Sequence, residues 1–168
     1  MAVEEQLVGV FYWRLGFLND IDKMGQDLNI PNREVTKLGF WLKKVGSPTG
    51  NVTLTIRKKS DKSLIVSKLW GSATGIGADT YVEVTFDTPT VVNEDVLILA
   101  EADWVHGTNY IQPKAADSDV KANEQFVRYS EGAWDYKATY DTAYRYTYSD
   151  PIVGGDGGPG VLVQAGVI

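Results

Sequence analysis

Few side chains in this sequence could carry out acid–base or nucleophilic chemistry. The chain has no cysteine and a single histidine, His106. Thiolate nucleophiles are therefore excluded, and only one side chain has an ordinary pKa near neutrality. No serine lies in a G-x-S-x-G context that would present it as a nucleophile. The sequence therefore predicts a protein that is not an enzyme.

Paired carboxylates are the remaining acid–base candidates. Asp20 with Asp22, and Asp117 with Asp119, have the close spacing of two groups that could act on a glycosidic bond. The same aspartates, together with Asp27, could supply loop oxygens to Ca²⁺. No EF-hand spacing accompanies them, and aspartates in such positions are usually solvated loop charges. We expect no metal and no other cofactor, with a calcium site as the alternative.

Aromatic side chains offer a different chemistry, because flat apolar rings can stack on sugar rings. Several lie in or beside predicted loops, where binding residues concentrate. With the histidine they would line a ligand-binding site at the loop end of the molecule: Trp104, His106, Tyr110, Trp134 and Tyr136. The other tryptophans have strand contexts and are expected in the core or at an interface: Trp13, Trp41 and Trp70. For the loop aromatics, internal packing is the alternative to binding.

The elements that must position these residues are strands. Within residues 35–59, two sets of apolar residues occupy alternate positions: Leu38, Phe40, Leu42 and Val52, Leu54, Ile56. Successive side chains of a strand point to opposite faces, so each set can line one buried face. Gly46, Pro48 and Gly50 between them are turn formers. This pattern predicts an antiparallel hairpin around which the rest of the domain is organised.

Shorter strands are predicted at residues 26–30, 63–70, 80–87, 96–101, 125–129, 134–140 and 143–148. The rest of 19–33, and the stretch 88–95, are rich in Asp, Asn and Pro and are predicted to be loops or turns. No stretch of the sequence has a convincing helical pattern. Short strands at this spacing are typical of an all-β sandwich.

The two ends of the chain differ from its middle. Residues 1–18 are predicted to be an apolar arm or edge strand, in which Phe11 and Trp13 could contact another subunit. Residues 19–150 would form the β-sandwich. Residues 151–168 combine a glycine-rich linker with an apolar end, whose Val161, Leu162 and Val163 could add to a neighbouring sheet edge. Folding back onto the same domain, or disorder, are the alternatives for this C-terminal arm.

Composition and charge narrow the classes of partner. A formal net charge of -6 and an isoelectric point near 4.7 argue against non-specific nucleic-acid binding, which needs Lys and Arg to replace phosphate counterions. No apolar run approaches the roughly 20 residues that cross a membrane. The N-terminus lacks the basic and apolar regions of a signal peptide. We therefore expect a virion or another extracellular assembly that is reached without a signal peptide.

Several motifs of the middle segment carry a resemblance to a known group of domains. They are VTKLGFWLKKVG at 35–46, GNVTLTIR at 50–57, YVEVTF at 81–86, DVLIL at 95–99 and GAW at 132–134. Residues from about 25 to 148 resemble jelly-roll domains of phage and archaeal-virus structural proteins and of secreted, surface-anchored proteins. This resemblance implies two antiparallel sheets packed as a jelly-roll sandwich, and it leaves open whether the domain serves as a virion part or as an accessory binding domain.

The sequence therefore predicts an all-β, antiparallel two-sheet jelly roll with extended N- and C-terminal arms. Its expected function is a non-enzymatic structural role in a self-assembling particle, as a capsid decoration, fibre or spike subunit attached through its arms. Expected partners are further copies of the chain or a viral capsid or tail scaffold, with surface glycans in second place. The alternative function is a carbohydrate-binding module that uses the loop-end aromatic site.

Overall fold

The computed structural model describes residues 1–14, 21–103 and 108–151, and the fold within them is all-β and antiparallel. Its strands are β1 (Ala2–Gln6), β2 (Phe11–Tyr12), β3 (Ile21–Val45), β4 (Asn51–Lys58), β5 (Leu64–Ser72), β6 (Thr80–Ala102), β7 (Tyr110–Ala116), β8 (Gln125–Ser130), β9 (Ala133–Lys137), β10 (Asp141–Thr142) and β11 (Tyr144–Ser149). The described residues contain one short 3₁₀ turn, Ala73–Gly75. None of their helical structure is long and apolar enough to cross a membrane.

Two long strands, β3 and β6, form the spine of the sheet. They pair from Lys23 opposite Glu101 to Leu42 opposite Thr80, with two interruptions of the register. At the first interruption Pro31 and Asn32 oppose one residue of β6, which makes a β-bulge. Asn32 adopts a φ of 43°, and its backbone N–H donates to the Asn93 side chain at 2.9 Å. The pairing therefore continues through the bulge instead of ending there.

The strand predicted at 26–30 is confirmed as part of β3, but the loops predicted for the rest of 19–33, over the described residues from 21 onward, and for 88–95 are wrong. Pro31 and Pro89 both lie at the register interruptions of a continuing ladder. Proline cannot donate to a ladder, but a bulge leaves its position without a ladder bond to make. Turn-forming residues here bend two long strands and do not divide them into short ones.

The two halves of β3 have different neighbours on the side away from β6. Residues 21–27 pair with β8, which in turn pairs with β9. Residues 34–40 pair with β11, and residues 42–45 pair with β7. Beyond β6, the sheet continues through β4 to β5. One bent strand thus organises most of the described chain.

The central apolar alternation is confirmed, but the hairpin predicted from it is wrong. All six side chains, Leu38, Phe40, Leu42, Val52, Leu54 and Ile56, are fully buried in one core. However, β4 hydrogen-bonds to β5 and β6, and not to β3. The turn between Gly46 (φ 67°) and Gly50 (φ 91°) carries the chain to a different part of the sheet. Alternation determines which face is buried, whereas it does not determine which strand lies alongside.

The main core joins residues from both halves of β3. Met24 and Leu28 of the first half belong to the same buried cluster as Phe40 and Leu42 of the second half. Tyr144 and Tyr146 of β11 also belong to it, and Tyr148 packs against it, so alternate residues of β11 share the face toward the core. Both halves of the bent strand β3 therefore pack against a single core.

The N-terminal residues only partly form the apolar arm or edge strand predicted for positions 1–18. Strand β1 pairs with β11 from Ala2 opposite Tyr148 to Gln6 opposite Tyr144. Residues 7–10 are not in a strand, and residues 15–18 lie outside the described part of the chain. The apolar side chains that follow β1 are exposed: Leu7 by 45%, Val8 by 50% and Val10 by 69%. This stretch is therefore not buried within the single chain.

A buried polar network fixes the 117–124 loop to the sheet. Asp141 is fully buried, and its carboxylate accepts hydrogen bonds from the Gln26 side chain and from the backbone N–H groups of Val120 and Lys121, at 2.7 and 2.9 Å for the latter two. The Thr142 backbone N–H donates to Gln26 at 2.8 Å. Removing the carboxylate would leave several buried donors without a partner, which costs more than the bonds themselves contribute.

We expect Asp141→Ala to lower the free energy of unfolding by roughly 3 kcal/mol, because it leaves buried hydrogen-bond donors without an acceptor. Asp117→Ala is the matched control, since Asp117 is exposed, and it should change stability by less than about 0.5 kcal/mol. Urea denaturation followed by circular dichroism measures both. Equal midpoints for the two variants would contradict this role for the network.

Glu124 contributes a pH dependence to stability. Burial raises the pKa of Glu124 above its ordinary value, although hydrogen bonding from the Tyr144 hydroxyl and the charge of Lys121 oppose the rise. Because the folded-state pKa is the higher one, this group stabilises the fold below its unfolded pKa, near 4.5, and that contribution is lost as the pH rises through the folded-state pKa.

The Glu124→Gln variant should therefore gain stability relative to the wild type as the pH is raised from below 4.5 to neutrality. Groups with a lowered pKa, such as Glu4, are present in both proteins and largely cancel in the difference. Urea midpoints over this pH range provide the measurement. A difference that stays constant, or that falls with rising pH, would show that the carboxyl is not destabilised by burial.

Candidate functional site

The candidate site lies on the face of the sheet opposite to the main core. Strand β6 is buried on both faces: Val96, Ile98 and Ala100 enter the main core, whereas Leu97 and Leu99 lie on the other side. Leu97, Leu99 and Val127 of β8 are fully buried and form a second, smaller cluster, here called the outer cluster. An outward strand face is ordinarily polar, so the outer cluster requires a cover.

Two aromatic residues of β9 provide that cover. A tight turn at Glu131 (φ 53°) and Gly132 (φ 80°) joins β8 to β9, and positive φ at both central residues is typical of a two-residue hairpin turn. Trp134 and Tyr136 occupy alternate positions of β9, opposite Tyr129 and Val127. Both rings are half-buried and pack against the outer cluster.

The turn between β4 and β5 approaches the same rings from the other side. The Lys62 ammonium lies 5.9 Å from the ring centre of Trp134 and 5.6 Å from that of Tyr136. Its backbone carbonyl accepts from Arg57 at 3.3 Å, and its backbone N–H donates to the Lys58 carbonyl at 3.1 Å. The Lys62 ammonium also donates to the Lys59 backbone carbonyl, so the turn holds this cationic side chain across two aromatic faces.

Beside the rings is a groove of about 580 Å³, here called the Tyr136 groove, lined by Lys59, Ser60, Lys62, Glu94, Asp95 and Tyr136. The charges around it are paired: Lys59 with Asp27 at 2.8 Å and Lys58 with Glu94 at 3.6 Å. The hydrogen bond to Asp27 raises the pKa of Lys59, so this ammonium stays charged at neutral pH. The Asn29 amide donates to Asp95 at 2.8 Å.

A second hollow of about 210 Å³ lies on the same face, between β4 and β6, and is lined by Thr53, Thr55, Arg57, Leu64, Ser67, Glu101, Ala102 and Asp103. Arg57 makes two bonds to the Glu101 carboxylate, at 2.7 and 3.2 Å. The Thr55 hydroxyl donates to the same carboxylate at 2.6 Å. Thr55 lies opposite Leu99, and Arg57 lies opposite Leu97, so this hollow borders the outer cluster.

The structure brings together only part of the predicted ligand site. Trp134 and Tyr136 share one surface, although they lie on strand β9 and not at loop ends. Tyr110 lies on β7 opposite Val45, with the Arg14 guanidinium 5.4 Å from its ring centre, and it does not line the Tyr136 groove. Trp104 and His106 lie outside the described residues. The predicted cluster of five is thus represented here by a pair.

Phe11 and Trp13, predicted to mediate assembly, make contacts within the chain. The Trp13 ring stacks on Phe126 with centres 5.0 Å apart and meets Tyr140 edge-on at 5.6 Å, and Phe11 contacts both Trp13 and Tyr140. They anchor the N-terminal segment to the body of the domain. The structure contains one chain, so contact of Phe11 and Trp13 with a neighbouring subunit stays a prediction. The other residues predicted to mediate assembly, Val161, Leu162 and Val163, lie outside the described residues.

The aspartates considered for catalysis or calcium binding are dispersed in the described part of the chain. Asp22 pairs with Lys23 at 2.7 Å, and Asp27 pairs with Lys59. Asp117 and Asp119 are exposed, and Asp20 lies outside the described residues. Across residues 1–14, 21–103 and 108–151, no three acidic or histidine side chains meet in a group that could hold a metal ion.

The sequence matches no protein-family model and no curated protein. The site must therefore be interpreted from its own chemistry. One aromatic ring, one serine hydroxyl and four charged side chains line the Tyr136 groove, and such groups can bind a small molecule.

Leu99→Ala tests whether the outer cluster is a genuine buried core. We expect it to lower the free energy of unfolding by roughly 3 kcal/mol, because a fully buried leucine leaves a cavity when truncated. Leu69→Ala is the control, since Leu69 is 55% exposed and should cost less than about 1 kcal/mol. Urea unfolding gives both values. A Leu99→Ala cost as small as that of the control would show that Trp134 and Tyr136 do not cover this face.

Proposed function

We propose that this protein is a non-enzymatic structural domain that assembles into a larger particle through its terminal arms, as a virion component such as a capsid decoration, fibre or spike subunit. The observation that carries the proposal is the N-terminal segment, which combines an edge strand with exposed apolar residues. The resemblance of the middle segment to jelly-roll domains of viral structural proteins supports the same interpretation.

The proposal includes the finer architecture of the domain. The two halves of β3 and β6 would belong to the two facing layers of a jelly-roll sandwich, bent at the Pro31-Asn32 bulge. In support, residues from both halves share one buried core. A sandwich of this kind would be a rigid body that holds its attachment points in fixed positions.

The edge of β1 is suited to strand addition. In the described residues β1 hydrogen-bonds to β11 alone, which leaves the backbone groups of its other edge available. An exposed strand edge is a template for pairing with another chain. Glu4 of β1 is paired with Arg33 at 3.2 Å and also with Lys121, so this strand is held firmly in place.

Exposed apolar residues continue from this edge. Leu7, Val8 and Val10 lie within four positions, and their exposure ranges from 45 to 69%. Single exposed apolar residues are ordinary, but a group beside an open edge is typical of an interaction surface. The Val10 and Trp13 backbone N–H groups donate to β7 carbonyls, both at 3.0 Å, so the segment is presented in a fixed position.

The partner in this proposal is a further copy of the chain or a scaffold of the same particle, in a virion or extracellular assembly. The C-terminal arm would supply a second attachment. Its glycine linker of about seven residues spans roughly 15 Å on average as a flexible coil, which is enough to reach a neighbour. Val161, Leu162 and Val163 would then add to a neighbouring sheet edge.

The triple variant Leu7→Ser/Val8→Ser/Val10→Ser tests the N-terminal surface. Loss of three apolar contacts should weaken self-association by at least about a hundredfold. Sedimentation velocity over a concentration series, with and without residues 154–168, measures the assembly and the share of the C-terminal arm. The urea midpoint of the triple variant should stay close to that of the wild type, because the replaced residues are exposed.

The matched control is Leu64→Ser/Leu69→Ser/Val91→Ser, which replaces three residues that are 50, 55 and 53% exposed elsewhere on the domain. It should assemble as the wild type does. A wild-type chain that stays monomeric at every concentration would refute self-assembly. If the control dissociated and the arm variant did not, the interface would instead lie around the replaced residues of β5 and β6.

A further inference from the structure

We propose that the Tyr136 groove and the adjoining hollow between β4 and β6 form a binding site for a neutral oligosaccharide, with the Tyr136 and Trp134 rings as its stacking platform. This inference goes beyond the assembly proposal and does not depend on it, because every residue of the site belongs to one chain. It also places the site on a sheet face and not at the loop end of the molecule.

The first step is that the site has the form of a ligand pocket. The groove is lined by the Tyr136 ring together with five polar or charged residues, and Trp134 lies two positions away on the same strand. Both rings pack against the fully buried outer cluster, which supports them from within the domain. The volume of about 580 Å³ lies within the ordinary size range of ligand pockets, roughly 300–1,000 Å³.

The second step is that the side chain over the aromatic faces is a lysine on a turn. Lys62 lies across both rings, and a cation over an aromatic face at a partly exposed site contributes only about 0.5–1 kcal/mol. Its ammonium also donates to the Lys59 backbone carbonyl, at the rim of the groove. A ligand with an apolar, flat face can replace the ammonium over the rings, and the ammonium can stay bonded to this carbonyl and donate to the ligand as well.

The third step is the charge of the groove, which selects the class of ligand. Lys59 and Lys62 are matched by Glu94 and Asp95, so the lining has no excess of either sign. A phosphate, sulfate or acidic polymer requires uncompensated cations, and a basic ligand requires uncompensated carboxylates. Sugar hydroxyls donate and accept hydrogen bonds alike, so they match a lining in which both kinds of charged group are present.

The fourth step is length. The second hollow contributes Thr53, Thr55, Arg57 and Glu101, on the same face and along the same strands. From Thr53 to Lys59, six residue steps along β4 and into the following turn extend over about 20 Å. Such a distance accommodates several sugar rings in a row. The chemistry and the dimensions therefore agree on an oligosaccharide chain and not on a single ring.

The test uses the full chain and a defined panel of neutral hexasaccharides derived from cellulose, laminarin, xylan and mannan, with oligogalacturonate and oligochitosan as charged probes. Isothermal titration calorimetry measures affinity. We expect binding to at least one neutral probe. Binding to a charged probe alone, or to none of the panel, would overturn the proposal.

Tyr136→Leu is the informative variant, because leucine retains an apolar cover over Val127 but lacks a flat ring. It should weaken binding by at least about tenfold. Tyr110→Leu is the matched control, since Tyr110 is a half-buried tyrosine on β7, outside the site, and it should bind as the wild type does. Wild-type affinity in Tyr136→Leu, or a loss confined to Tyr110→Leu, would overturn the assignment.

A measurement on the wild type avoids dependence on any variant that folds poorly. Addition of the bound saccharide should shift the NMR resonances of residues 58–62, 94–95 and 134–136, including the Trp134 indole. Shifts confined to other parts of the sheet would refute this location for the site. The titration reports on residues of the groove and sedimentation reports on association, so a failure of saccharide binding is distinguishable from a failure of assembly.

Discussion

The antiparallel pairing of β3 with β6 is the constraint on which the rest of the structure depends. These two strands pair over nearly their whole length, and four further strands, β4, β7, β8 and β11, pair directly with one or the other of them. The remaining strands pair with those four. Because the pairing passes through the Pro31-Asn32 bulge, the two halves share a register and a single core. A change that shifted this register would move every attached strand with it.

The sequence predicted which side chains are buried better than it predicted which strands pair, and this difference has a physical reason. Alternation of apolar residues reports the face of a strand that leaves water, and Leu38, Phe40 and Leu42 are buried as expected. Strand partners depend on contacts between distant residues, and a short turn such as 46–50 does not by itself specify them. The same limit explains why Pro31 and Pro89 suggested loops, since a proline marks a break in a ladder whether the chain turns or only bends.

The residues of the candidate site were likewise predictable only in part. The composition of β9 drew attention to Trp134 and Tyr136, because aromatic residues beside a turn are recognisable locally. The groups that complete the groove, among them Lys62 and Asp95, come from the β4–β5 turn and from β6. One local signal did exist: the continuous apolar run at 96–100 implied a strand covered on both faces, and something had to cover the outer one.

The presence of two hydrophobic clusters on opposite faces of β6 has a consequence for how this domain can vary. The main core fixes the fold, whereas the outer cluster, together with β9 and the β4–β5 turn, shapes a surface. Replacing residues of β9 or of the β4–β5 turn would alter this surface without exposing the main core. The outer face of the domain can therefore be redesigned, by selection or in the laboratory, while the residues that determine the fold remain in the main core.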